Sequence, residues 1–301
     1  MKKYHEQVQL LVSVLPHIAK EECFALKGGT AINLFIRDMP RLSVDIDLQY
    51  IYVDSREIAI ANIDEALERI SASLKRVGIE SIIREDAGSC RKIICNNTAA
   101  SIKIEPNYVV RGCVKPPKLM QNNLKVQEIY GFAAMKILSF GELYGGKICA
   151  ALDRQHPRDL FDVKYLLSNE GITPNVKQGF IVALLSHNRP PHEILRPNIQ
   201  NQKEIFAREF LGMTEEAFSY EDHKNVLHQL INELNMSYSD ADKEFLVSFF
   251  ECSPKWNLIN IYKLDELPAV KWKMKNLELL KENNGIKFKS QVRNLQNTFG
   301  M

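Results

Sequence analysis

The chain has 301 residues, 45% hydrophobic and 25% charged, with a formal net charge of +2. That is the balance of an ordinary soluble globular protein with room for one large domain or two modest ones. No run of about 18 uncharged apolar residues occurs, so no membrane-spanning helix is expected, and the near-neutral charge neither demands nor excludes a nucleic-acid partner.

The opening segment MKKYHEQVQLLVSVLPHIAK is basic at its start, but Glu6 and Gln9 interrupt the apolar stretch and no small-residue cleavage site follows. The reading is an amphipathic helix over 4–20 rather than a signal peptide, in a cytoplasmic protein. Residues 30–37 form a short helix with Thr30 as its N-cap. In LSVDIDLQYI, Leu42, Val44, Ile46 and Leu48 alternate with Ser43, Asp45, Asp47 and Gln49, which predicts a strand with one buried and one polar face. A charged amphipathic helix over 55–77 begins at Ser55, and strands follow around 79–84, 91–95 and 101–110. From Lys118 the pattern turns helical. A short apolar strand at 135–138 leads into a helix running to about Arg154, and Pro157 opens the next one. Several further helices occupy 173–285.

This order predicts an α+β protein: a mixed-sheet lobe over 1–118 and an α-helical lobe over 119–301. The six cysteines show no C-x-x-C pairing and the seven histidines no ligand spacing, so reduced thiols and no zinc site are expected. Two local basic clusters stand out, one of Arg111, Lys115 and Lys118, the other of Lys271, Lys273 and Lys275 around Trp272. Trp256 and Trp272 are expected as core anchors of the helical lobe rather than base-stacking platforms, and the lysines around Trp272 leave a nucleic-acid surface open there.

Alternation puts Asp45 and Asp47 on one face, close enough to bind one hard cation together. Two such charges repel, and a divalent ion relieves the conflict while leaving positions for phosphate oxygens. Upstream, Gly28 and Gly29 let backbone N–H groups approach a phosphate at a helix start, and Thr30 adds a hydroxyl. A plain strand-to-helix turn would use the same glycines, so the D-x-D that follows is what favours phosphate. Ser43 and Arg41 share the polar face with the acids. In SIKIE, Ile102 and Ile104 point inward and leave Lys103 and Glu105 on the other face. Glu105 is thereby a candidate third carboxylate for a two-metal displacement at phosphorus. On the helical side, Lys147 and Arg154 fall at i and i+7 and project from one face. Asp159 and Asp162 begin the next helix, where they suit either a site or a structural ion-pair cluster with Arg154.

The runs LKGGTAINLF and RLSVDIDL, with FGELYGGKICAALDRQHPRDLFDVKYLL later, resemble the AbiEii/AbiGii-type nucleotidyltransferase toxins of the DNA polymerase-β-like superfamily. LPAVKWKMKNLELL is a weaker echo of that family's C-terminal region. The resemblance implies a polymerase-β-like fold and an NTP substrate. Gly29 and Thr30 would hold the nucleotide's phosphates, a set to which the residue pattern itself adds Gly28 and Ser43. Asp45, Asp47 and Glu105 would bind Mg²⁺ or Mn²⁺, Lys147 and Arg154 would contact the triphosphate, and Asp159 and Asp162 would complete the site. It further implies a toxin of a toxin–antitoxin or phage-defence system with a cognate antitoxin, acting on an RNA acceptor, foremost the tRNA 3′ end. Two other readings stay open: transfer to a protein hydroxyl, and a non-catalytic nucleotide- or antitoxin-binding module.

Overall fold

The computed structural model describes residues 2–86 and 90–301. The chain divides into two compact units, Met1–Ser139 with Arg208–Ala217, and Phe140–Ala207 with Phe218–Met301.

In the first unit, α1 (Lys2–Ile18) buries Val8, Leu11, Val12, Leu15 and Ile18 at helical spacing, as a one-sided apolar stripe must. Strand β1 (Phe24–Lys27) leads into α2 (Gly28–Ala31), which continues through a π-helical turn (Ile32–Ile36). Strand β2 (Asp45–Tyr50) follows, then α3 (Arg56–Arg76), whose N-cap Ser55 accepts from the Ile58 N–H. Next come β3 (Glu80–Asp86), β4 (Cys90–Asn96), β5 (Ser101–Asn107), β6 (Lys118–Gln121), α4 (Leu124–Tyr130) and β7 (Ala134–Ile137). The strands form one mixed sheet in the order β3-β4-β5-β2-β1-β7-β6. Central β2 runs antiparallel to β1 and parallel to β5, while β1 and β7 are parallel. Ile46, Leu48, Ile102 and Ile104 are buried on one face; Asp45, Asp47, Lys103 and Glu105, alternating with them, stand on the other.

The expected lobe boundary at 118/119 differs from this division, which falls after Ser139. Strand β6 pairs with β7 and β7 with β1, so the chain returns to the sheet after 118. The strand expected at 135–138 exists, but it belongs to the sheet. The second excursion, Arg208–Ala217, was not foreseen. It clamps the approach to β2: the Leu42 N–H donates to the Met213 carbonyl at 2.7 Å, and the Thr214 hydroxyl donates to the Pro40 carbonyl at 2.8 Å.

The second unit is helical: α5 (Phe140–Arg154), α6 (Pro157–Asn169), α7 (Pro174–Leu185), α8 (Pro191–Leu195), the short α9 (Lys203–Ile205), α10 (Tyr220–Ser237), α11 (Asp240–Phe250), α12 (Pro268–Asn283) and α13 (Gly285–Phe299). Helices α5 and α7 cross at Gly145 and Gly179, where any added Cβ would strike the other helix's backbone. Capping boxes pairing Ser219 with Asp222 and Ser239 with Asp242 start α10 and α11, satisfying helix-end donors. The tryptophans correct the expectation of core anchors. Trp256 is 36% exposed, although it lies against the rings of Phe245 and Phe249, and Trp272 is 54% exposed. Helix α12 turns Ala269, Val270 and Leu277 inward instead. No described helix is long and apolar enough to cross a membrane.

Candidate active site

Register assembles the carboxylate face of the first unit. Across the parallel β2–β5 pair, Asp45 lies opposite Lys103 and Asp47 opposite Glu105, and across the antiparallel β1–β2 pair Lys27 lies opposite Asp47. Residues paired in this way point to the same side of a sheet, so three acids and two lysines share one surface. Lys92 of β4 joins it, its ammonium 3.8 Å from Glu105 Oε1. The Lys103 ammonium is 2.9 Å from Glu105 Oε2 and 3.9 Å from Asp45 Oδ1. Burial opposes charge on Lys103, but Glu105, then Asp45 and Asp47, outweigh it and hold the ammonium above the ordinary lysine value.

The turn before β2 is built against these acids. Gly28 has φ +72°, and a Cβ there would fall on the Asp47 carboxylate; only glycine occupies such a position without strain. A Cβ on Gly29 would come within 2.6 Å of Arg41 Nη2 and 3.0 Å of Ser43 Oγ. Arg41 is thus packed beneath the turn, 3% exposed, with Nη1 donating to the Leu42 carbonyl at 2.9 Å. It does not lie on the open strand face, as had been expected. Thr30 also differs from its expected place. The helix starts at Gly28 with Lys27 in the N-cap position. The Thr30 hydroxyl, 1% exposed, donates to the Asp45 carbonyl at 2.5 Å and lies at hydrogen-bond distance, 3.0 Å, from the Ser43 hydroxyl. Strand pairing begins only at Asp45, because residues 40–42 are held by the Met213 segment. Thr30 and Ser43 therefore fix the start of β2, and with it the aim of Asp45.

The donor set on this face is oxygen only, which suits a hard divalent cation such as Mg²⁺ or Mn²⁺. Among the described residues no three His, Cys, Asp or Glu side chains gather as a ready cage; the Lys103 ammonium lies between Asp45 and Glu105. Mg²⁺ is commonly held by one or two carboxylates, with substrate phosphates supplying further ligands. Asp45 and Asp47 meet that requirement, with Glu105 in register beside Asp47.

The second unit brings together the other four expected site residues. Lys147 Nζ lies 2.9 Å from Asp159 Oδ1 and 3.0 Å from Asp162 Oδ2. Arg154 Nε is 2.6 Å from Asp159 Oδ2, and its Nη2 donates to Oδ1 at 3.1 Å. His156 caps α6, with Pro157 at its first turn, and this sets Asp159 and Asp162 one turn apart beside α5. Lys147 is 7% exposed and the two aspartates 1% each. Burial alone would raise the Asp159 pKa, but Lys147 and then Arg154 hold it well below the ordinary carboxylate value. Lys147 is thus neutralised between two acids, while the Arg154 side chain is 60% exposed.

Sequence reasoning missed Lys27 as a member of the carboxylate face. The alternation of FALK against DIDL carries that signal once the two strands are paired antiparallel. It also missed the 208–217 clamp, for which no local pattern exists.

No curated protein matches the chain by sequence. By structure it is similar to MenT4, a nucleotidyltransferase toxin from Mycobacterium tuberculosis H37Rv, with a TM-score of 0.60 at 14% identity, covering 80% of this chain and 87% of that one. A likeness at that identity speaks to the fold. The family model described as "Nucleotidyl transferase AbiEii toxin, Type IV TA system" matches residues 9–263. With most of its length matched and the carboxylate strand inside the match, the chain belongs to the AbiEii family of nucleotidyltransferase toxins.

Proposed function

We propose that this nucleotidyltransferase toxin moves a nucleoside monophosphate from an NTP to a hydroxyl of an RNA, the tRNA 3′ end being the acceptor, in the cytoplasm: the hydroxyl oxygen bonds to the α-phosphorus as the α–β phosphoanhydride breaks, and pyrophosphate leaves. The observation that carries this is the register of Asp45, Asp47 and Glu105 on one open strand face beside the glycine turn. Membership of a type IV family implies a cognate antitoxin and a nucleotide substrate.

Asp45 and Asp47 would hold Mg²⁺, which when bound supplies charge neutralisation at the phosphates and at the attacking and leaving oxygens. The chain's own groups do the rest. The backbone N–H groups of the α2 start face phosphate oxygens, and Lys27 and Lys103 add positive charge beside them. Glu105, released from Lys103 when substrate enters, takes the acceptor hydroxyl's proton. Holding both reactants in line supplies much of the acceleration. Lys147, Asp159 and Asp162 act as a positioning cluster in this scheme, and the exposed guanidinium of Arg154 is the member suited to a phosphate.

The test incubates the purified chain with each of the four labelled NTPs, Mg²⁺ or EDTA, and either total RNA or total cell protein. Label entering RNA from one NTP, lost with EDTA and lost in Asp45→Asn, is the expected result. Label in the protein fraction alone would move the acceptor to a protein hydroxyl. Transfer that persists undiminished in Asp45→Asn would remove the carboxylate face from the chemistry.

A further inference from the structure

The C-terminal helix pair carries charge out of proportion to its length. Residues 268–299 hold seven basic side chains and two acidic ones, a net +5 in a chain whose total is +2. The family match ends at 263, so this pair lies beyond the matched core. Lys273 turns inward, its ammonium donating to the carbonyls of His187 at 2.7 Å, Asn188 at 3.3 Å and Arg189 at 3.2 Å. Lys271, Lys275, Lys281, Lys287, Lys289 and Arg293 are all exposed. Among the described residues none of these six is in an ion pair.

On α13, Lys289, Arg293 and Asn297 recur every four residues and so form one row along the helix. That row ends at a pocket of about 570 Å³ between α8 and α13. Its walls include Arg189, His192 and Arg196 on one side and Asn294 and Asn297 on the other, with Glu193 as the acid in the lining. Arg189 is matched by Asp153 at 2.8 Å and Glu193 at 3.0 Å, so the surplus charge comes from Arg196. Arg196 is steadied by donating to the Thr298 carbonyl at 2.6 Å. His192 presents a buried Nδ1 with no hydrogen-bond partner and an Nε2 3.5 Å from Asn294 Nδ2.

We propose that this pocket and the exposed basic side chains of α13, Lys287, Lys289 and Arg293, bind the sugar–phosphate backbone of the acceptor RNA, outside the carboxylate face; the proposal rests on the RNA-acceptor reading above. Guanidinium forks, amides and lysine ammonium groups are the groups that hold phosphates and ribose hydroxyls. Exposed Trp272, with the Lys275 ammonium 6.0 Å from its ring centre, offers a flat surface on which an unpaired base can stack. A membrane surface fits less well. An interfacial helix needs a continuous outward apolar face, whereas Leu277, Phe288 and Leu295 turn inward, and on the face of α12 that Trp272 and Leu279 share the exposed Lys275 and Asn276 lie between them.

The test measures binding of fluorescently labelled tRNA to the full chain carrying Asp45→Asn, from 50 to 200 mM salt, with and without the triple reversal Lys287→Glu, Lys289→Glu and Arg293→Glu. The expected result is an affinity about tenfold lower or more in the reversed chain, with a shallower dependence on salt. NTP binding and melting temperature should stay unchanged. If the triple variant misfolds, the neutral pair Lys289→Gln and Arg293→Gln reads the same slope. Unchanged RNA affinity and salt slope would overturn the surface while leaving transfer to RNA intact. Transfer only to protein, with no tRNA bound by the Asp45→Asn chain, would instead sink the acceptor reading on which the surface depends. Binding of phosphatidylserine-containing vesicles that the triple reversal abolishes, with RNA binding unaffected, would overturn it in favour of a membrane.

Discussion

Asp45 and Glu105 stand on an open strand face, with side chains 32% and 34% exposed. Asp159 and Asp162 lie in the helical unit at 1% each, against Lys147 and Arg154. The residue types are the same, and the physics differs. An exposed carboxylate held by a half-exposed lysine can exchange that partner for another cation at little cost. A buried carboxylate cannot, because removing its partner leaves an uncompensated charge in a poor dielectric. The first arrangement is suited to chemistry and the second to holding helices in place.

Substitutions can break or sharpen this contrast. The largest effect is expected from Asp45→Asn or Asp47→Asn. Transfer should fall about 10³-fold, the several kcal/mol that charge stabilisation at a phosphoryl centre supplies, while the melting temperature stays within a few degrees. An equal loss of stability would assign those acids to the fold. Lys147→Met should show the reverse pattern, a loss of about 3–5 kcal/mol in denaturant titrations, since two buried acids lose a shared partner. A loss below about 1 kcal/mol would argue that the cluster does not hold the fold.

Acid titration separates the two groups next. The Asp159 pKa is depressed in the folded chain, by Lys147 and Arg154 against the opposing effect of burial. Its stabilisation is therefore fully present above the unfolded value near about 4 and is lost as pH falls below it. The stability gap between the wild type and Asp159→Asn should stay constant from pH 7 to pH 5 and narrow on further acidification. A gap that narrows already between pH 7 and pH 5 would contradict the assignment. The smallest effect is expected from Gly28→Ala, where a positive φ costs about 1–2 kcal/mol and the new methyl displaces the Asp47 carboxylate. A variant that kept full transfer would show that Asp47 tolerates the shift.

Much of the carboxylate face was legible because alternation is a local signal. DIDL and SIKIE each declare which residues face out, and the pairing of β2 with β5 needed only one assumption. The fate of Thr30 and Arg41 was not legible. Both are polar residues next to a candidate site, and only the depth of the turn shows that they lie beneath the surface. The division after Ser139, rather than at 118/119, was out of reach for a related reason. Strand β6 has four residues, too few for periodicity to outweigh the helices around it, and nothing local in the strand expected at 135–138 says that it pairs back with β1. Trp272 misled because a large ring usually signals a core, whereas α12 fills its inward face with smaller side chains.

The clamp at Met213 has a temporal consequence. The loop that aims Asp45 donates a hydrogen bond, from the Leu42 N–H, to a carbonyl more than 170 positions downstream. During synthesis, every strand of the sheet is translated well before that bond can form. A ribosome-bound chain ending at 207 should therefore present an unfastened β2 to protease, and one extended well past 217 should not. The start of β2 is thus fastened only after every strand of its own sheet has left the ribosome's active centre.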